Sequence, residues 1–253
     1  MSLLLSGPLL SPASFIPGPW TFWFFVSRLG EAQILLPAMA GALLWLVLQP
    51  RCRPLAAVWL AAVTAAAVLT TASKVAFIGY ELGYAPLDYS GISGHAMFSA
   101  AILPVLLRVQ FANAAPRRAA FASAAGYALA LLVAVSRLKL GAHSVADVVL
   151  GGSLGVLAST WALRFWPAGP QRPPIWLPAA LALWLVMLPA AAPPSNTHGL
   201  VTALALEISG RPFPYTRYEM LRRYQQRASR VASIQPQLAA AVLPLQPPGQ
   251  RQR

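Results

Sequence analysis

His143 and Asp147 stand four residues apart, a spacing that places two side chains on one face of a helix. There Asp147 can accept a hydrogen bond from one ring nitrogen of His143. That fixes the tautomer and leaves the other nitrogen as a nucleophile or base. Arg137, just upstream, is a bidentate anion binder. Ser93-Gly94-His95 opens an apolar run and reads as a helix start, where free backbone N–H groups and the dipole favour a phosphate. Gly94 lets the backbone come close to such a ligand. His95 at the same spot is placed to protonate a leaving oxygen. Lys74 closes the apolar run before it. His95, His143 and Asp147 could also be read as a zinc set. No short-spaced ligand pair supports that, and no metal is expected.

Taken singly, these residues have ordinary structural readings, and Lys74 alone is a snorkelling lysine. Together they resemble a known family. Ser136-Arg137, five residues, His143, three residues, Asp147 is similar to the third motif of the type-2 phosphatidic acid phosphatase superfamily. Ser93-Gly94-His95 resembles the core of its second motif, and Lys74 the lysine that opens its first. The resemblance covers about residues 31–165. It implies that His143 is the nucleophile, forming a phosphohistidine, with Asp147 orienting it. It implies that His95 is the acid for the leaving group. Lys74, Arg137 and the backbone at Ser93 and Gly94 would hold the phosphate, with no metal and no cofactor.

Two positions depart from the family pattern. Its first motif ends in Arg-Pro, where this chain has Glu81-Leu82, and the proline before Ser-Gly-His is Ile92. The first change removes a positive charge and adds a negative one. Glu81 and Asp88 read as solvated loop acids. The alternatives are a substrate hydroxyl or amine, or an ion pair with Lys74. Because the family has arginine at this position, Glu81→Arg is expected to leave activity standing.

The elements that must position these residues are membrane helices. The chain has 253 residues, of which 57% are hydrophobic and 10% charged. Its mean hydropathy is +0.59. Soluble domains carry roughly 25% charged residues, and disordered chains are poor in apolar residues. Six apolar segments cover about 32–49, 55–73, 94–112, 119–135, 144–165 and 174–192. A span needs about 20 apolar residues. None of these alternates with period two, which excludes a lipid-facing barrel strand. The expected fold class is all-α, a polytopic bundle of about six transmembrane helices. Small residues such as Gly151-Gly152-Ser153-Leu154-Gly155 predict close helix contacts. The single cysteine, Cys52, excludes an intrachain disulfide.

Three regions follow: an N-terminal interfacial segment over 1–30, a transmembrane phosphatase-like domain over 31–192, and a basic, partly disordered tail over 193–253, with disorder placed at 236–253. No cleaved signal peptide is expected, since residues 1–13 carry no basic region. Arg51, Arg53, Arg108, Arg117, Arg118, Arg164 and Arg172 fall on one side and would be cytoplasmic. The motif residues fall on the other side, which would face the periplasm or exterior of a bacterial inner (plasma) membrane. The tail conflicts with this, because residues 211–230 hold six arginines on the outer side. Two readings of the tail stand side by side: an amphipathic helix on anionic headgroups, or a solvated extension. His198, in a polar loop, reads as exposed.

The expected partners are a lipid phosphate or pyrophosphate substrate and membrane lipids, not nucleic acid. The expected reaction is hydrolysis of that phosphate. The rivals are a phosphotransferase using the same site, a catalytically silent lipid-binding protein of the same fold, and a transporter.

Overall fold

Each of the six apolar runs forms one helix in the computed structural model of the chain, which describes residues 19–169, 171, 173–174, 176–191 and 195–242. The helices are α1 (Pro19–Arg28), α2 (Ala32–Leu48), α3 (Arg53–Tyr80), α4 (Gly94–Gln110), α5 (Pro116–Lys139), α6 (Val145–Leu163), α7 (Trp176–Ala191), α8 (Thr197–Ser209) and α9 (Arg217–Val242). Four stretches, 20–48, 50–80, 116–139 and 145–163, are long and apolar enough to cross a membrane, and α4 and α7 are shorter apolar helices. The fold is a helical membrane bundle. Tracing α2 through α7 returns the chain to the face where it started, so α1, α8 and α9 share one end of the bundle with the motif residues.

The central element is α4, which packs against α2, α3, α5, α6 and α7. It is buried on all sides: Met97, Ala101, Ile102, Val105, Leu106 and Val109 are fully enclosed. A helix apolar all round belongs in such a position. Lipid tails are as apolar as leucine, so helix association in a bilayer depends on close packing of small residues. Gly151 and Gly155 on α6 meet this need. A Cβ on Gly151 would run into the Ser93 carbonyl, and one on Gly155 into the Met97 carbonyl. A Cβ on Gly126 of α5 would collide with the Pro104 backbone of α4. Forcing extra methyl groups into packed contacts costs typically about 1–3 kcal/mol. The glycine-rich stretch of α6 thus sets α4 and α6 close together at their motif-bearing ends. Trp59 of α3 locks on from the other side, its Nε1 donating to the Ala101 carbonyl at 2.9 Å.

Several boundaries differ from the sequence reading. The 14–28 segment is helical from Pro19, and a short turn at Leu29-Gly30 leads it straight into α2. Trp20, Phe22, Phe24 and Phe25 of α1 face outward. The tail is largely helical. α9 runs through 236–242, part of the stretch expected to be disordered, because an alanine-rich sequence sustains the helix. The readings of residues 1–18, 192–194 and 243–253, and of Arg172, lie outside the described residues.

Candidate active site

Asp147 anchors the site. It is fully buried, and its carboxylate collects four donors. Ser90 donates through its backbone N–H to Oδ1 at 2.9 Å and through its hydroxyl to Oδ2 at 2.9 Å. The Ser144 N–H reaches Oδ2 at 3.4 Å, and His143 Nδ1 lies 3.2 Å from the same oxygen. The Ser144 hydroxyl accepts from the Asp147 N–H at 3.1 Å. Ser144 and Asp147 therefore form a capping box that starts α6. His143 lies two residues before the helix, so the cap rather than a shared helix face brings it to Asp147. With the carboxylate accepting from Nδ1–H, the free lone pair is on Nε2. Burial pushes the His143 pKa below its ordinary 6.5, against the opposing pull of the Asp147 hydrogen bond. The ring is neutral at neutral pH, as a nucleophile must be.

His143 opens into a cavity of about 620 Å³ lined also by Lys74, Gly94, His95 and Arg137. Five of the seven residues singled out from the sequence thus meet at one space. Asp147 stands behind His143. Ser93 departs from the expectation that its backbone holds the phosphate. It is fully buried, and its N–H donates to the Asp147 carbonyl at 3.0 Å. As N-cap of α4, Ser93 ties α4 to α6, and the first-turn N–H groups of Gly94 and His95 remain for an anion. The Ser93 hydroxyl and Arg137 Nε are buried with no hydrogen-bond partner among the described residues.

The loop joining α3 to α4 holds this arrangement. Ile92 N–H donates to the Ser73 hydroxyl at 3.0 Å. Gly91, at φ +110°, crosses Lys74 closely enough that a Cβ would sit 3.2 Å from Lys74 Cγ. From the other side α1 contributes Ser27, whose hydroxyl accepts from Arg137 Nη1. Glu31 lines the cavity and pairs with Arg28 at 3.5 Å. Sequence reasoning missed Ser27, Ser90 and the wall position of Glu31. His198 is exposed, as expected, but sits in the first turn of α8 and borders the cavity. Among the described residues no group of three or more His, Cys, Asp or Glu is placed to hold a metal ion.

The reading of Glu81 and Asp88 as solvated acids is overturned. Glu81 pairs with Arg211 at 2.6 Å and with Arg223, and Asp88 takes both Nε and Nη2 of Arg217. Neither pairs with Lys74. Tyr215 packs on Phe77, ring centroids 5.4 Å apart, and its N–H donates to the Ile78 carbonyl at 3.0 Å. The tail is therefore docked on the motif face through an apolar contact and three ion pairs. This is why six arginines collect there: acids on the same face receive half of them. Arg222, Arg227 and Arg230 remain exposed.

Glu81→Arg accordingly has the opposite outcome to the one the family pattern predicts. A third guanidinium beside Arg211 and Arg223 repels the tail. Trypsin should then cut the tail at least roughly tenfold faster than in the wild type, by opening a locally docked unit, and turnover should fall. Unchanged digestion would show that the ion pairs do not hold the tail. Acid should mimic the variant. The hydrogen bond from Arg211, aided by Arg223, holds the Glu81 pKa below its ordinary 4.5. The docking contribution is present in full above that value and is lost as pH falls through the depressed pKa.

Residues 73–170 match the PAP2 superfamily. That span contains Lys74, Ser93, Gly94, His95, Arg137, His143 and Asp147, the seven residues singled out from the sequence, and leaves Ser27, Glu31 and the tail arginines outside it. A Klebsiella pneumoniae protein described as an uncharacterized 22.5 kDa protein in the cps region is 31% identical over 202 residues. The alignment covers 78% of this chain and 97% of that protein. The chain belongs to the PAP2 superfamily. Members of the PAP2 superfamily are generally phosphatases, and this PAP2 protein is a membrane phosphatase by family and by its apolar helices. No solved structure matches the chain.

Proposed function

We propose that this PAP2 protein is a lipid phosphatase that hydrolyses a phosphate ester or pyrophosphate through a phosphohistidine at His143. One observation carries the lipid. A second cavity, of about 670 Å³, lies between α2, α3 and α8 and is lined by Leu36, Met39, Leu60, Val63, Leu204 and Ile208 among others. It shares Ala67, Thr71 and Phe98 with the reaction cavity. A site lined by Lys74, Arg137, His95 and His143, with an apolar cavity against the same wall residues, suits an amphiphile, whose chain lies among the helices while its phosphate meets His143. Polyprenyl pyrophosphate, phosphatidic acid, phosphatidylglycerol phosphate and lipid A all have this form.

In the proposed reaction His143 Nε2 attacks phosphorus. The N–P bond forms as the bond to the lipid oxygen breaks, and His95 gives that oxygen its proton. Water then attacks the phosphohistidine, His95 takes its proton back, and inorganic phosphate leaves. Lys74, Arg137 and the N–H groups of Gly94 and His95 stabilise the charge on the transferred group, the main task in phosphoryl transfer. The site faces the periplasm or exterior of the bacterial inner membrane in this reading. Arg51, Arg53, Arg108, Arg117, Arg118 and Arg164, at the opposite helix ends, favour that orientation. Arg222, Arg227 and Arg230 are left to meet anionic headgroups.

The test is phosphate release by the purified protein from a panel of these lipids in the presence of a chelator, with mass spectrometry of the lipid products. The expected result is release from at least one lipid, undiminished by chelator. Release that requires added divalent metal, or a phosphorylated acceptor lipid in place of free phosphate, would overturn the hydrolytic scheme.

A further inference from the structure

The docked tail brings Arg217 to the wall of the reaction cavity, beside the cations already described. Asp88 occupies the Nε–Nη2 edge of its guanidinium. An arginine has five N–H donors in a planar fork. Nη1 donates one of its hydrogens to the Gly141 carbonyl at 3.5 Å, in the loop that carries His143, and its second N–H is left to offer. Asp88 therefore turns the guanidinium toward the reacting end of the cavity and holds it there.

The backbone shows how firmly this contact is built. Among the described residues only two that are not glycine have a left-handed backbone: Glu81 at φ 59° and Asp88 at φ 52°. A left-handed backbone is disfavoured for a residue with a side chain, less so for aspartate, and such residues concentrate where the surroundings enforce them. These are the same two acids that the tail arginines grip. Glu81 caps the end of α3 and fastens the tail through Arg211 and Arg223. Asp88 aims Arg217. Residue 81 itself brings a negative charge to this face, and that negative charge draws in a segment whose own arginine enters the cavity.

We propose that Arg217 is a phosphate-binding residue, a third fixed cation of the site beside Lys74 and Arg137, supplied by the C-terminal segment. The proposal rests on the phosphatase reading of the same cavity. It gives the ion pairs of Glu81 and Asp88 one purpose: the first secures the segment and the second orients its guanidinium toward substrate. Arg217→Gln removes the Asp88 pair but keeps both Glu81 pairs and the Tyr215 packing, and these hold the tail docked in that variant.

Phosphate binding measured by isothermal titration on the purified full chain in detergent tests this, with inorganic phosphate as the probe. A charge-assisted contact accounts for roughly tenfold or more in affinity. Arg217→Gln should bind phosphate at least about tenfold more weakly, Arg217→Lys should recover part of the loss, and trypsin should cut after the retained Arg222, Arg227 and Arg230 no faster in Arg217→Gln than in the wild type. Equal affinity in Arg217→Gln and wild type would overturn the proposal. So would faster tail digestion in Arg217→Gln, which would make the loss structural, or a wild-type protein that binds no phosphate. The phosphatase reading fails separately. His143→Ala that still releases phosphate from lipid would sink the phosphohistidine while the Arg217 titration stands.

Discussion

Replacing His143 with alanine lowers turnover by at least about a thousandfold and leaves the bundle folded. The size follows from the role: removing the nucleophile of a covalent scheme leaves only the binding contribution, as it does in other enzymes with a covalent intermediate. The fold survives because Asp147 keeps three of its four donors, the two from Ser90 and the one from Ser144. Losing one hydrogen bond costs about 0.5–1.5 kcal/mol. The measurements are phosphate release, the thermal midpoint in detergent, and trapping of labelled phosphate on the protein after a brief exposure to labelled substrate. A wild-type label that is stable in base, labile in acid and missing from the variant marks a phosphohistidine at 143. Turnover within tenfold of wild type would rule that residue out as nucleophile. The pH dependence has a definite sign. The protonated ring lacks the attacking lone pair, and burial holds its pKa below 6.5. The acid limb of the wild-type profile should therefore lie below 6.5, while the alkaline limb belongs to the proton that His95 must hold.

The helices and the motif positions were legible in the sequence because their signals are local. Apolar runs set α2 to α7 to within about four residues, except that α3 runs on from residue 73 to Tyr80. Ser93-Gly94-His95 marked the start of α4, and Gly151 and Gly155 marked the close approach of α6. What stayed hidden depends on partners far apart in the chain. Ser90 meets Asp147 across 57 residues, Ser27 meets Arg137 across 110, and Arg211 meets Glu81 across 130. No periodicity reports such pairs. The docked tail did leave a trace in the charges. Acids stood in the loop before α4 and an excess of arginines in a tail on the same face, the face that the proposed orientation turns outward. Read as complementary rather than as two separate oddities, those charges predict an intramolecular contact. Glu81 misled for a different reason. A family pattern says what a position usually holds, but the charge that replaces it acts on whatever this chain brings near.

Asp147→Asn tests whether the carboxylate does more than hold a ring in place. The amide keeps nearly the same shape and still accepts the Ser90 N–H on its oxygen. With its nitrogen in the Oδ2 place it no longer accepts from the Ser144 N–H, a loss of about 0.5–1.5 kcal/mol, and the electrostatics change. Asparagine can offer an N–H to His143 Nδ1, which moves the imidazole proton to Nε2 and blocks the attacking nitrogen. The charge that would stabilise a positive ring as phosphorus departs is also gone. An equivalent change in a histidine–aspartate pair lowers kcat by about 10⁴, and a loss of roughly a hundredfold to ten-thousandfold is expected here, with KM nearly unchanged because Asp147 does not face the cavity. The acid limb of the pH profile adds a second readout. The Asp147 hydrogen bond raises the His143 pKa, so in the variant that pKa drops further and whatever activity remains should extend to lower pH. A kcat within tenfold of wild type would reduce Asp147 to a helix cap. A large loss with an unshifted acid limb would mean that some group other than His143 governs the profile. A large loss with the limb moved to lower pH identifies the buried carboxylate as the group that sets the proton position on the nucleophile.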